Sequence, residues 1–271
     1  MRTGNLMRSG NPAMSAFQKP VAYSELSGTQ DQPKTMTLQG TVNATAIMLG
    51  ACASAALATV MFVPSHLIMS VSFGGAILGF ILSLVIIFKP TTAPKLGLVY
   101  ALLEGVFLGG ISLFYENWAG AQAAAADGGG VVANIGNSIV LQAVLLTFGI
   151  AGAMLLAYST RVIRVTPMFT KVVVTILIGY LFASLGTMLL QFFGVGIPYL
   201  YQMGPLGIAI AGFVVVLAAV TLLLDFNLIE QGIKSGQPRY MEWYGAFALM
   251  VTLVWLYLRI LYLLAMLRRS D

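Results

Sequence analysis

Charge is what this chain is shortest of. Only 8% of its 271 residues are Asp, Glu, Lys or Arg, while 59% are hydrophobic and the mean hydropathy is +0.90. Soluble domains carry about 25% charged residues, so the composition excludes a water-soluble globular protein and indicates a polytopic membrane protein. Alternation at period two is missing too, which argues against an outer-membrane barrel. The single cysteine, Cys52, lies inside an apolar run. No disulfide can form within the chain, and Cys52 reads as a small packing residue. The single histidine, His66, falls in a connection. That excludes a seven-helix zinc hydrolase, which needs several histidines, and a serine protease, because His66 lies at the face opposite the polar residues. No lysine follows Lys234, so the last helix has no Schiff-base lysine for retinal. Asp225 alone among the aspartates falls inside a span, where an intramembrane aspartyl protease needs two. Gly128, Gly129 and Gly130 precede no strand and lack the lysine of a phosphate loop. The chain is expected not to be an enzyme.

What is there is length of apolar sequence. Six runs, roughly 43–63, 67–88, 97–115, 138–158, 172–193 and 206–229, meet the roughly twenty residues that a spanning helix needs. A seventh, roughly 243–267, is richer in aromatics and contains Arg259. The expected architecture is an all-α integral membrane protein with a polar, mobile tail over 1–40 and a seven-helix transmembrane domain over 41–271. The tail has no apolar h-region, which argues against a cleaved signal peptide, and MRTGN at 1–5 is echoed by MRSGN at 7–11. Residues 116–137, rich in Gly and Ala, read as a flexible extramembrane loop. Gly-x-x-x-Gly spacing at Gly75–Gly79 and Gly105–Gly109 suits close helix approach, within the bundle or between copies.

The basic residues set the orientation. Arg2, Arg8, Lys19 and Lys34 precede helix 1. Lys89 and Lys95 follow helix 2, Arg161, Arg164 and Lys171 follow helix 4, and Lys234 and Arg239 follow helix 6. The alternate connections contain no Lys or Arg. The positive-inside rule then predicts a cytoplasmic N-terminus. It also makes the net charge of +5 a topology signal, with no nucleic-acid partner expected. Arg268 and Arg269 run against the rule if helix 7 crosses fully. Seven crossings are preferred, since the last run exceeds what a re-entrant segment needs.

Ionisable residues within spans are costly and mark function by default. Asp225 lies five residues before Glu230, about 7.5 Å inside that edge at the helical rise. Glu242 lies three residues after Arg239, about 4.5 Å into helix 7. The two depths agree to about one turn, so the carboxylates are candidates for a proton-sharing pair. Protonated, such a pair latches two helices; ionised, it repels and offers oxygen ligands to a hard cation such as Ca²⁺. The plainer readings are an interfacial partner for Asp225, such as Arg161, Arg164 or Arg239, and a solvated Glu242. Glu104 lies nine residues past Lys95, about 13 Å deep. It either lines a wet path or is a protonated structural acid.

Four segments bear a family likeness: LLEGVFLGGIS around Glu104, AYSTRVIRVT after helix 4, LLLDFNLIEQG around Asp225, and EWYGAFALMVTLVWLYLRIL. With them the chain resembles the Bax inhibitor-1 family of seven-helix membrane proteins, in its bacterial branch, over roughly 40–267. The resemblance implies six helices around a central seventh, and a pH-sensitive cation leak, chiefly of Ca²⁺, gated near paired acids in helices 6 and 7. It also implies residence in the bacterial inner membrane and, as an alternative function, non-transporting regulation of a membrane-bound protease or a stress response. Transient Ca²⁺ apart, no cofactor is expected; the implied partners are the bilayer, Ca²⁺ or H⁺, and such a protease. Position by position, Asp225 matches the helix 6 aspartate. The helix 7 counterpart falls on Thr252 where the family has an aspartate, so Glu242 is left as a substitute from ten residues earlier. Arg161 or Arg164 is then the expected cationic partner of Asp225 in a closed state.

Overall fold

A computed structural model describes residues 35–119, 138–194 and 204–270. The expectations for the tail before residue 35 and for most of the 116–137 loop lie outside the described residues. Seven helices follow one another: α1 Leu38–Phe62, α2 Ser65–Phe88, α3 Ala93–Trp118, α4 Ile139–Ser159, α5 Pro167–Phe192, α6 Pro205–Lys234 and α7 Tyr240–Ser270, with a short 3-10 turn Pro90–Thr92 before α3. All seven are long and apolar enough to cross a bilayer. The protein is an all-α, multi-pass integral membrane protein.

Local chemistry sets the helix ends. Thr37 caps α1 by accepting from the Gly40 amide at 3.0 Å, and Thr166 caps α5 by accepting from Phe169 at 3.2 Å. Each satisfies a first-turn donor that the helix itself cannot. Pro167 and Pro205 open α5 and α6, where the missing amide costs nothing. Inside the spans, Thr45, Thr59, Thr147, Thr175 and Thr221 donate to the carbonyl four residues back. Those bonds let hydroxyls sit in an apolar surround without an outside partner.

Helix 7 is the most buried span and α5 the least. α7 packs against α1, α3, α4 and α6, while α2 leans on α3, and α5 on α6. The central seventh helix is therefore present, with two of the surrounding six standing off it. Tyr100 of α3 meets Phe247 of α7 edge-to-face at 5.0 Å, and the Ser112 and Tyr257 hydroxyls share a 2.7 Å hydrogen bond. Phe80, Phe88 and Phe182 face outward with other large apolar side chains, a surface suited to lipid and not to water. The α7 helix is continuous to its end, where the Arg269 guanidinium lies 4.5 Å over the Trp118 ring. Its C-terminus thus joins the end of the bundle that carries Trp118, opposite the start of α1.

Both Gly-x-x-x-Gly motifs serve packing within the bundle. A Cβ on Gly105 would overlap the Cys52 carbonyl oxygen of α1, and one on Gly109 would stand 2.7 Å from the Ala56 oxygen. Gly75 faces α3 in the same way, its would-be Cβ 3.0 Å from the Leu103 oxygen. Backbone cannot swing aside as a side chain can. Gly105→Ala is therefore expected to lower the unfolding midpoint in detergent, at a cost of about 1–3 kcal/mol for forced overpacking. Gly149→Ala, with open space around the added methyl, should lower it little or not at all.

Candidate functional site

Asp225 belongs to α6, nine residues before its last residue, between the buried Leu224 and Phe226. Its carboxylate accepts a hydrogen bond from the Thr252 hydroxyl across the α6–α7 seam. The second oxygen, Oδ2, is buried and has no hydrogen-bond partner among the described residues. Thr252 is itself buried, and its hydroxyl also points at the Ala248 carbonyl, 3.4 Å away. A hydroxyl has one proton and two lone pairs, so this small site has two arrangements. Facing an ionised Asp225, Thr252 donates to it. Facing a protonated Asp225, it accepts the acid proton and gives its own to Ala248. Either protonation state of Asp225 can be met by turning the Thr252 hydroxyl about its C–O bond.

Glu242 is brought elsewhere. It sits in the first turn of α7 and accepts from both the Thr37 amide, at 2.9 Å, and the Thr37 hydroxyl, at 2.7 Å. Arg239 Nε stands 3.7 Å from its other oxygen. Beside it the Met36 amide donates to the Gln237 carbonyl at 2.7 Å, and Thr35 pairs with Pro238 as an isolated bridge. Glu242 therefore pins the entry of α1 to the α6–α7 corner. Ten residues of α7 separate it from Thr252, about 15 Å along the axis, so the structure does not join it to Asp225. The matched depths expected from sequence took Glu230 as the edge of α6, whereas that helix continues to Lys234 and places Asp225 deeper. The same docking explains why α1 begins at Leu38 and not near 43.

The basic loop after α4 also finds a different acid. Arg161 and Arg164 are exposed, and Arg161 acts electrostatically on Glu230, whose carboxylate is held by the Tyr158 hydroxyl and Lys234. Neither arginine is a contact of Asp225. Arg161 takes a left-handed backbone (φ 58) in the turn that ends α4.

Glu104 lies midway along α3 and accepts from the Tyr100 hydroxyl. Cys52 of α1 is within electrostatic reach, and a Cβ on Gly79 of α2 would stand 3.3 Å from its Oε2. It belongs to the α1–α2–α3 corner, apart from the Asp225 seam. Sequence reading missed three polar contacts: Thr37 with Glu242, Tyr158 with Glu230, and the Arg259 guanidinium 5.5 Å over the Tyr180 ring. The spacing of Ser, Thr and Tyr around each charged residue gave no periodic signal that would have found them. Among the described residues, no three His, Cys, Asp or Glu side chains gather to hold a metal ion.

A family model described as Bax inhibitor 1 like matches residues 11–269. No curated protein and no solved structure matches the chain.

The Thr37–Glu242 latch makes a stability prediction. Charge-assisted hydrogen bonds are worth about 1.5–3 kcal/mol each, so Glu242→Ala should lower the detergent unfolding midpoint. In a double-mutant cycle with Thr37→Ala, the coupling should be about 0.5–3 kcal/mol. Gly40→Ala should reproduce Glu242→Ala, because a Cβ there would overlap the Glu242 carboxylate. Additive losses in the cycle would contradict the latch.

Proposed function

The chain belongs to the Bax inhibitor 1-like family of membrane proteins, and from that premise we propose that it provides a pH-sensitive pathway for Ca²⁺ or H⁺, gated at Asp225. The observation that carries this reading is the Asp225–Thr252 contact on the seam of the two most buried helices. A carboxylate there, with one oxygen on a hydroxyl and the other without a partner among the described residues, is stable as a neutral acid and strained as an anion. Protonation leaves the seam that Thr252 bridges without a charge, and so keeps it dry. Ionisation places a negative charge where only water or a cation can satisfy it, and the seam parts to admit one. Oxygen ligands of this kind suit a hard cation. Thr252 takes the place of a second acid, so the gate has one titrating group instead of a dyad.

Glu242, on this reading, supports the bundle and does not gate. The charge distribution along the connections supports a cytoplasmic N-terminus, so that Asp225 is reached from the cytosolic side past Glu230. The bacterial inner membrane is the matching location. The protein carries out no bond chemistry and takes no cofactor beyond the passing ion.

Purified protein in liposomes should show Ca²⁺ flux that falls as pH falls, because protonation removes the charge that opens the seam. Asp225→Asn should hold flux at the low-pH level and flatten the profile. Thr252→Val should shift the profile without flattening it, and Glu242→Gln should leave its shape unchanged. An Asp225→Asn protein with wild-type flux and wild-type pH profile would sink the gate. No flux from any form would instead favour the regulator of a membrane protease.

A further inference from the structure

The far third of the bundle holds a feature that the Asp225 seam does not use. Arg259 lies nineteen residues into α7, about 28 Å along its axis, and is only half-buried. Its guanidinium stacks over Tyr180 of α5, and its Nε is buried without a hydrogen-bond partner among the described residues. Ion pairs among the described residues are Lys234 with Glu230 and Arg239 with Glu242, and Arg259 is in neither. Phenols surround it instead, with Tyr115 within electrostatic reach. A guanidinium is a cation with five donors and no acceptor, and a membrane helix tolerates one only where a partner or water meets it.

Beside this side chain is a cavity of about 180 Å³ between α5, α6 and α7. Arg259, Tyr180, Ser184, Thr187, Tyr262 and Gly207 line it. Gly207 belongs to the first turn of α6. That helix has 30 residues, about 45 Å against a hydrocarbon core of about 30 Å, so its first turn reaches the interfacial layer. The cavity thus runs from headgroup level down to Arg259, whose stem is long enough to snorkel toward that level. Ser184 and Thr187 now donate to the Leu181 and Ser184 carbonyls, and a rotation about χ1 turns either hydroxyl to an incoming acceptor. α5, the outer wall, is the least buried helix, with Leu181 and Phe182 facing outward.

We propose that this cavity binds a phosphate-type oxyanion, held by a fork of donors from Arg259 and by the hydroxyls of α5. The chemistry is that of guanidinium–phosphate pairing, planar and bidentate. An anionic phospholipid headgroup and a free phosphate ion both present it. The site is separate from the Asp225 gate, and either reading can fail without the other.

The test uses full-length protein in a non-ionic detergent, titrated in one arm with inorganic phosphate and in the other with phosphatidylglycerol against phosphatidylcholine. Trp255 packs against Tyr180 with ring centroids 6.1 Å apart, so tryptophan fluorescence reports the cavity, and native mass spectrometry counts retained lipid. Wild type should bind at least one anionic probe, and Arg259→Gln should weaken that binding at least tenfold. Arg259→Lys, which keeps the charge and loses the fork, should fall between. Saturation by phosphatidylglycerol alone identifies the headgroup as the source, and saturation by phosphate identifies the free ion. Arg268 and Arg269 remain in every variant, so the difference isolates Arg259. Should Arg259→Gln fail to fold, Ser184→Leu, which fills the cavity and leaves the arginine, should abolish binding on its own. Failure of wild type to bind either probe, or equal binding by wild type and a folded Arg259→Gln, overturns the proposal.

Discussion

Every polar group inside this bundle has to be satisfied by the chain itself, because the bilayer offers no hydrogen bonds. The rest of the architecture follows from how that demand is met. Threonine hydroxyls turn back onto their own helices, and glycines let backbones approach until side-chain polar atoms can reach across. The central helix then gathers what remains: Tyr257 to Ser112 of α3, Thr252 to Asp225 of α6, and Glu242 to Thr37 at the entry of α1. Helix 7 is central because it is the helix whose polar side chains are spent on three different neighbours. A bundle closed only by apolar contact would have no reason to choose one helix for that role, since lipid tails are as apolar as leucine.

Much of this was legible in the sequence, and the reasons are physical. Apolar length alone fixes the number of spans, since a helix must exceed the hydrocarbon core. Charge cost alone singles out Asp225, Glu104 and Arg259. The family register added Thr252 as the position opposite Asp225, and the structure puts its hydroxyl there. Glu242 shows where such reading stops. Its depth was reckoned from Glu230, but a helix end is set by capping and by the turn that follows, and α6 continues another turn. A small error in that edge moved Glu242 from a partner of Asp225 to an anchor for Thr37. The loop arginines show the same limit. Proximity in sequence to the cytosolic face put Arg161 near Asp225, while the nearer acid, Glu230, already takes that charge.

The two halves of the bundle differ in how freely they can move. On one side α1, α2 and α3 are locked by glycine faces at backbone-to-backbone distance, with Glu104 tied to Tyr100 between them. On the other, α5 buries Val173 alone of its residues and rests on α6. A change of charge at Asp225 acts on the α6–α7 seam, next to the side with least to lose. α5 touches the rest of the bundle chiefly through α6, whereas α3 is packed closely on α1 and α2. Asp225 lies on the more loosely packed side of the fold.

Asp225 Oδ2 and Arg259 Nε are the buried side-chain polar atoms left without a partner among the described residues. One belongs to an acid and the other to a base, and they do not meet. Thr252, which touches Asp225, and Arg259 are seven residues apart on α7, so they share one stripe of the helix about 10 Å apart along the axis. Had the chain needed only to neutralise two buried charges, moving one by two turns would have paired them. Kept apart, each leaves an unmet demand at its own depth, one for a cation or proton and one for an anion. That separation is the strongest reason to treat both as sites and not as flaws in packing. It also places them on the same face of the helix, where a tilt of α7 against α6 and α5 changes the room available at both.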